Sequence, residues 1–173
     1  AGKGGVGDGI YVSRFDMDGQ PSVAGDVLID TFGPPDQPAL ARHVDGAVMV
    51  CWRAGAKLLC QRLDSNVTMI GPQIVVEAEG APAHPALTFS GPNKMVLTYE
   101  LSGLDAGGVA VRGVTMKPTG EQTRFPRLLN LREAGDQKTP FATVLGTGKV
   151  AVGWSGPLPE EDTSDDILFR VLK

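Results

Sequence analysis

Four arginines recur at nearly equal spacing and are the first candidates for chemistry. Arg14, Arg62, Arg112 and Arg170 each stand in a short apolar segment, with spacings of 48, 50 and 58 residues. If these segments were equivalent strands of a repeating structure, the guanidinium groups would form a ring of donors that could hold an anion. The favoured alternative is structural, with each arginine satisfied by carbonyl or carboxylate oxygens of the neighbouring repeat.

Three large aromatic residues form a second recurring set. Each follows a proline by fourteen residues: Pro38 with Trp52, Pro85 with Tyr99 and Pro140 with Trp154. Their flat rings could stack on sugars, which makes all three candidate ligand-binding residues. Packing between sheets is favoured instead, because aromatic side chains supply much of the apolar area of a core.

The two cysteines are spaced for a contact between neighbouring strands. If residues 54–57 form a hairpin loop, Cys51 lies opposite Cys60. Opposed residues of an antiparallel pair are about 4.5–5.5 Å apart at Cα, which a disulfide can bridge. Two buried thiols are the alternative. Neither cysteine has a histidine at metal-ligand spacing, so no metal site and no cofactor are predicted.

The ionisable residues form no recognisable catalytic group in the sequence. His43 and His84 have no identifiable nucleophile or carboxylate partner, so no catalytic residue is predicted. A hydrolase acting on glycans needs a pair of carboxylates. The sequence offers four candidates, and turn or loop positions explain each of them: Asp16, Asp36, Asp64 and Asp136.

Three further segments have the composition of an ion-binding loop, and simpler explanations are favoured. Residues 16–19 read Asp-Met-Asp-Gly, like the start of a calcium loop, but a turn fits better because the later ligands are missing. Residues 2–9 are glycine-rich with one lysine, but they lack the strand, helix and Lys-Ser/Thr pair of a phosphate loop. The acidic residues between 160 and 166 are expected to form a solvated loop.

Short strands separated by turn signals must position all of these residues. Each unit of forty to fifty residues contains four predicted strands, which is typical of a propeller blade. The chain is therefore predicted to be all-β, a β-propeller segment of about three four-stranded antiparallel blades plus an extra strand. In chain order, the sequence supplies the third and fourth strands of one blade, then two complete four-stranded repeats, and then the first, second and third strands of another blade. The predicted domain is one partial propeller over 1–173, with repeats at roughly 8–57, 58–106 and 107–164 and a further blade beginning at 165–173.

The repeated motifs resemble a known type. The segments DGIYVSRFDMDG and DQPALARHVDGAVMVCW are similar to the tandem propeller repeats of large bacterial secreted and surface proteins. The resemblance implies an extracellular or cell-envelope location. The second repeat departs from the pattern, with Ser-Gly-Pro-Asn at 90–93 in place of Asp-Gly and Tyr99 in place of Trp. The third repeat lacks Phe-Asp after Arg112.

Composition and charge exclude several classes of protein. Lys and Arg total 16 against 20 for Asp and Glu, so the net charge is −4 and no nucleic-acid partner is predicted. No apolar run approaches the roughly 20 residues of a membrane-spanning helix, so no membrane span is predicted. With 23 glycines and 13 prolines, the composition argues against a helical bundle.

Three blades do not close a ring, since known propellers have roughly four to eight. The expected partner is therefore another part of the propeller, supplied by the same precursor, a second chain or further copies of this chain. The function predicted from the sequence is a non-catalytic binding or scaffold module for adhesion, carbohydrate binding or assembly, with a glycan as candidate ligand. Two alternatives stay open: a fragment of a propeller-type glycoside hydrolase, and a structural subunit of a large complex.

Overall fold

The protein folds entirely into β-strands over the residues that the computed structural model describes, which are 8–22, 25–31, 34–103, 108–130, 135–146, 148–157 and 165–172. None of the described residues forms an α-helix, and hence no helix there could cross a bilayer. The strands are β1 (Ile10–Val12), β2 (Val27–Asp30), β3 (Pro35–Arg42), β4 (Val48–Ala54), β5 (Lys57–Leu63), β6 (Met69–Glu77), β7 (Ala83–Gly91), β8 (Lys94–Ser102), β9 (Val109–Met116), β10 (Gln122–Leu128), β11 (Lys138–Val144), β12 (Val150–Pro157) and β13 (Asp165–Leu172).

Consecutive strands pair antiparallel into four separate sheets. Strands β1 and β2 form a two-stranded pair, β3–β6 and β7–β10 form four-stranded sheets, and β11–β13 form a three-stranded sheet. This order of strands is the one predicted from the sequence, and the predicted all-β class with a propeller segment is confirmed. We call the three larger sheets blade 1, blade 2 and blade 3.

The first strand of each blade lies on the inside of the arc. Strand β7 packs against both β3 and β11, whereas the later strands of each sheet lie progressively farther from these contacts. The arrangement is that of propeller blades around a central axis. The two complete sheets run from 35 to 77 and from 83 to 128. Each repeat that was predicted from the sequence therefore begins at the third strand of a sheet and not at its first.

Three apolar clusters hold neighbouring sheets together. The β1–β2 pair packs on blade 1 around Trp52, blade 1 packs on blade 2 around Tyr99, and blade 2 packs on blade 3 around Trp154. Each central aromatic comes from the second strand of its blade and belongs to the face turned toward the preceding sheet. Burial of two apolar faces is the main stabilising contribution in such sheet-on-sheet packing.

The cysteines form the cross-strand disulfide that was one of the two alternatives. Strands β4 and β5 pair with Cys51 opposite Cys60 and Trp52 opposite Leu59, as the hairpin argument predicts. The two sulfur atoms are bonded, and both cysteines are fully buried in the interface between blades 1 and 2. The bond fastens the middle of blade 1 where the next sheet covers it.

Reduction of this disulfide is expected to lower the free energy of unfolding by about 2–3 kcal/mol, because it releases a closed loop with a sequence separation of 9. Urea unfolding with and without dithiothreitol measures the change. The matched control is Cys51→Ala/Cys60→Ala, whose unfolding midpoint should not respond to the reductant. An unchanged midpoint for the reduced wild type would contradict the expected contribution.

Candidate functional site

The inner strands share an irregularity near their first residues. The pairing of β3 with β4 shifts register between Asp36 and Ala39, and equivalent shifts occur at the starts of β7 and β11. Each irregular segment contains one of the recurring prolines, which cannot donate a backbone hydrogen bond to a neighbouring strand. The prolines therefore place one bulge per blade at the same end of the axis.

The residue before each proline has a left-handed backbone. The φ angles are 53° at Gln37, 46° at His84 and 48° at Thr139. Non-glycine residues rarely adopt such angles, which cost about 1–3 kcal/mol each and concentrate at functional sites. The same strained conformation in three consecutive blades makes this end of the axis the strongest candidate site.

Hydrogen bonds connect the three bulges from blade to blade. The backbone N–H of His84 donates to Gln37 Oε1 at 2.7 Å, and that of Thr139 donates to Glu100 Oε1 at 2.6 Å. His84 Nδ1 lies 2.9 Å from the same Glu100 oxygen. We call Asp36, Gln37, His84, Glu100 and Thr139 the axial site.

Two carboxylates of different environments belong to the axial site. Glu100 is only 8% exposed and is held between His84 and Thr139. Asp36 is more open and accepts two hydrogen bonds from the guanidinium of Arg53. These bonds raise the pKa of Arg53 above its ordinary value, because a nearby carboxylate that accepts from the guanidinium favours its charged form.

The carboxylate of Glu100 orients the imidazole ring of His84. Glu100 holds Nδ1, and Nε2 has no hydrogen-bond partner among the described residues, while the side chain is 48% exposed. A carboxylate that fixes one ring nitrogen leaves the other available for binding or proton transfer. Together with Asp36, the axial site thus contains two carboxylates and one imidazole.

Sequence reasoning identified part of this site and missed Glu100. The four nominated aspartates included Asp36, and His84 precedes the recurring Pro85 as Gln37 precedes Pro38. Glu100 could have been found from its place directly after Tyr99, since Arg53 and Ser155 follow the other two central aromatics. The three residues differ in chemistry, which hides the equivalence in the sequence.

The structure does not bring the four recurring arginines together. Three of them lie on third strands, but Arg62 pairs opposite Met49, Arg112 opposite Tyr99 and Arg170 opposite Val152. Because Tyr99 is the central aromatic and Met49 lies three residues before one, Arg62 and Arg112 sit at different heights in their blades. The expectation of equivalent positions is therefore wrong for this set. The similar spacing of Arg62 and Arg112 in the sequence hides this difference, because the connection between β8 and β9 is longer than the turn between β4 and β5.

Each arginine instead contacts a neighbouring segment. Arg62 pairs with Asp45 at 2.6 Å, and Arg112 pairs with Glu77 at 2.8 Å. Arg14 donates to the carbonyl oxygen of Ser65 at 2.7 Å, and Arg170 donates to that of Leu129 at 3.3 Å. The contacts of Arg14, Arg112 and Arg170 join neighbouring sheets, as the structural alternative expects. Arg62 differs, because Asp45 lies in the β3–β4 turn of its own blade.

The central aromatics are buried and hydrogen-bonded, so none presents a free face to a sugar. Trp52 and Tyr99 are fully buried and Trp154 nearly so. Trp52 Nε1 donates to Asp30 at 2.8 Å, the Tyr99 hydroxyl to Glu77 at 3.1 Å, and Trp154 Nε1 to Gln137 at 2.7 Å. In the described structure they act as packing residues, each with its polar atom satisfied.

The remaining candidates occupy structural positions. His43 is buried, with Nε2 at 2.8 Å from the carbonyl oxygen of Pro92 and Nδ1 at 2.7 Å from Asp45 Oδ1. The expectation that neither histidine has a carboxylate partner is therefore wrong for His43 as well as for His84. Asp16 and Asp64 each accept hydrogen bonds from the backbone N–H groups two and four residues later, which stabilises a turn. Asp136 accepts from the N–H of Val109, and a hydrogen bond from Lys138 is the main cause that lowers its pKa.

Two segments nominated in the sequence lie mostly outside the described residues, namely the glycine-rich stretch at 2–9 and the acidic stretch at 160–166. Among the residues that are described, no group of three His, Cys, Asp or Glu side chains is arranged to hold a metal ion.

Comparison with known proteins shows the fold. No protein-family profile matches the chain, and no curated protein matches it. Among solved structures it is similar to an endo-arabinase from Bacteroides thetaiotaomicron, with a TM-score of 0.61, 11% identity and 95% of this chain covered. It is also similar to a thermostable family-43 glycoside hydrolase, with a TM-score of 0.54, 12% identity and 93% of this chain covered.

The chain spans 65% of the length of either neighbour, and both neighbours are five-bladed propellers. The similarity establishes a β-propeller fold. The sequence prediction of a protein without enzymatic activity is contradicted by this comparison, since both neighbours are glycoside hydrolases. The prediction rested on the absence of a catalytic motif in the sequence, and residues that separate blades contribute to one site share no local motif.

The burial of Tyr99 is expected to make the protein less stable in alkali. Burial, and then the charge of Glu77, raises the pKa of Tyr99 above its ordinary value near 10. Above about pH 10 the unfolded chain loses the phenolic proton while the folded chain keeps it, so this contribution to stability is lost as the pH rises.

Urea unfolding between pH 8 and pH 11 measures the effect. The wild type should lose up to about 1.4 kcal/mol of stability per pH unit above pH 10 from this group, and Tyr99→Phe should lack that component. Tyr11→Phe, which changes a tyrosine on strand β1, is the control and should behave like the wild type. Equal slopes for the wild type and Tyr99→Phe would contradict the assignment.

Proposed function

We propose that this chain is part of a propeller-type glycoside hydrolase whose glycan substrate is bound at the axial site. The observation that carries the proposal is the chain of contacts between three strained inner-strand bulges. Gln37 accepts a hydrogen bond from the backbone of His84, and the buried carboxylate of Glu100 contacts both His84 and Thr139. The propeller fold shared with two glycoside hydrolases supports it at the level of architecture. A central depression shared by several blades is also the usual place for a ligand in a ring of this kind.

The two carboxylates suit different tasks in glycosidic bond cleavage. This chemistry commonly requires one carboxyl group that exchanges a proton and a second that remains ionised. Asp36 accepts two hydrogen bonds from the guanidinium of Arg53, and this contact with a cation suits the partner that remains ionised. Glu100 is buried and contacts the half-exposed imidazole of His84, so this pair is our candidate for proton exchange.

The location proposed for the protein is extracellular or in the cell envelope. The Cys51–Cys60 disulfide supports it, because disulfides persist mainly in oxidising compartments. A hydrolase acting on polymeric glycans outside the cell would be consistent with such a compartment.

Substitution of Glu100 is expected to remove activity without removing the fold. In the full-length protein, Glu100→Gln should lower kcat/KM on its glycan by about 100-fold or more, the usual contribution of a general acid or base. Asp36→Asn should lower it as well. The measurement is a panel of chromogenic glycosides and polysaccharides that includes arabinan, with circular dichroism to verify folding.

The matched control is Asp16→Asn, which changes a turn aspartate while keeping a side-chain oxygen that can accept the same backbone hydrogen bonds. It should retain wild-type activity. Full activity of a folded Glu100→Gln variant, or no turnover of any glycan by the wild type, would overturn the proposal.

A further inference from the structure

Blade 3 exposes a row of apolar side chains on one face. Phe141, Ile167, Phe169 and Val171 are each between 43% and 76% exposed. We call these four residues the open face. Ile167, Phe169 and Val171 alternate along β13 with residues such as Leu168 and Leu172 that pack against blade 2, and Phe141 lies on β11 opposite the same glycine as Phe169. One side of the sheet is therefore covered by a neighbouring blade, and the other side is uncovered in the described structure.

Two positions of the open face have fully buried equivalents in blade 1. Cys51, one residue before the central aromatic, pairs with Cys60, and Gly153, one residue before Trp154, pairs with Phe169. Phe169 thus occupies the position of Cys60. By the same register Ile167 occupies the position of Leu58, and both Cys60 and Leu58 are 0% exposed. Blade 2 covers them in the cluster around Tyr99.

Blade 2 repeats the arrangement. Val96 and Val111 belong to the face that corresponds to the open face, and both are buried in the cluster around Trp154. In two successive blades, therefore, this face is covered by the aromatic-bearing face of the next sheet. An uncovered apolar face of this size in a soluble protein commonly marks an interaction site.

We propose that the open face binds the aromatic-bearing face of one further blade of the same ring, formed by residues outside 1–173. The recognised surface would present a Trp or Tyr from its second strand, with Val or Leu at alternating positions on either side. Those are the residue types that cover the same face of blades 1 and 2. The contact continues an interface that the chain already makes twice.

A second copy of the chain is a poorer match for this surface. The first sheet of a second copy would be the β1–β2 pair, whose exposed apolar residues are Tyr11 and Leu28. This pair lacks inner strands, so it could lie over β13 and would leave Phe141 of the inner strand β11 uncovered. A complete four-stranded blade covers both strands.

Photo-cross-linking in the full-length protein tests the proposal. The variants Phe169→p-benzoylphenylalanine and Ile167→p-benzoylphenylalanine place a photoreactive ring on exposed positions, where it does not disturb the core. Irradiation followed by mass spectrometry should give a cross-link to a peptide outside residues 1–173 in which Trp or Tyr alternates with Val or Leu.

The control is Phe125→p-benzoylphenylalanine, which is 90% exposed on the outermost strand of blade 2 and should give no specific cross-link. Cross-links from positions 167 and 169 to residues of a second copy would overturn the proposal in favour of self-association. Absence of any cross-link from both positions in the folded protein would overturn it as well.

Discussion

Every blade of this protein is apolar on both faces, and the rest of the structure depends on that constraint. A sheet with two apolar faces is stable only between two others, which explains why the chain stacks sheet on sheet. The aromatics Trp52, Tyr99 and Trp154 lie at the centre of the three contacts, and each has a hydrogen-bond acceptor for its single polar atom. Fully buried Cys51 and Cys60 place the disulfide in the same layer.

The axial site is a consequence of this stacking. Gln37, His84 and Thr139 belong to three different blades. Gln37 contacts His84 directly and Glu100 links His84 to Thr139, and these contacts exist only while the blades keep their relative positions. The prolines that follow these residues interrupt the inner-strand pairing, because they cannot donate a backbone hydrogen bond. Loss of packing at the clusters around Tyr99 and Trp154 would therefore separate the groups of the site before it unfolded any one sheet.

Local pattern predicted the architecture well and the site only in part. Turn signals and the proline-to-aromatic spacing gave the strand order, and the short β4–β5 hairpin fixed Cys51 opposite Cys60. The four arginines align in the sequence but not in the sheets, because spacing along the chain does not give the strand register. The longer β8–β9 connection shifts Arg112 to the level of Tyr99. Glu100 was missed because its equivalents, Arg53 and Ser155, have different chemistry. Contacts between blades depend on three-dimensional position, which a single sequence does not show.

The most direct test of the stacked-blade account is sedimentation velocity of the 173-residue chain by itself at increasing concentration. With the open face uncovered, the account predicts association that grows with concentration, well above the 18.1 kDa mass of the chain. A folded species that stayed monodisperse at the monomer mass over the whole concentration range would contradict it.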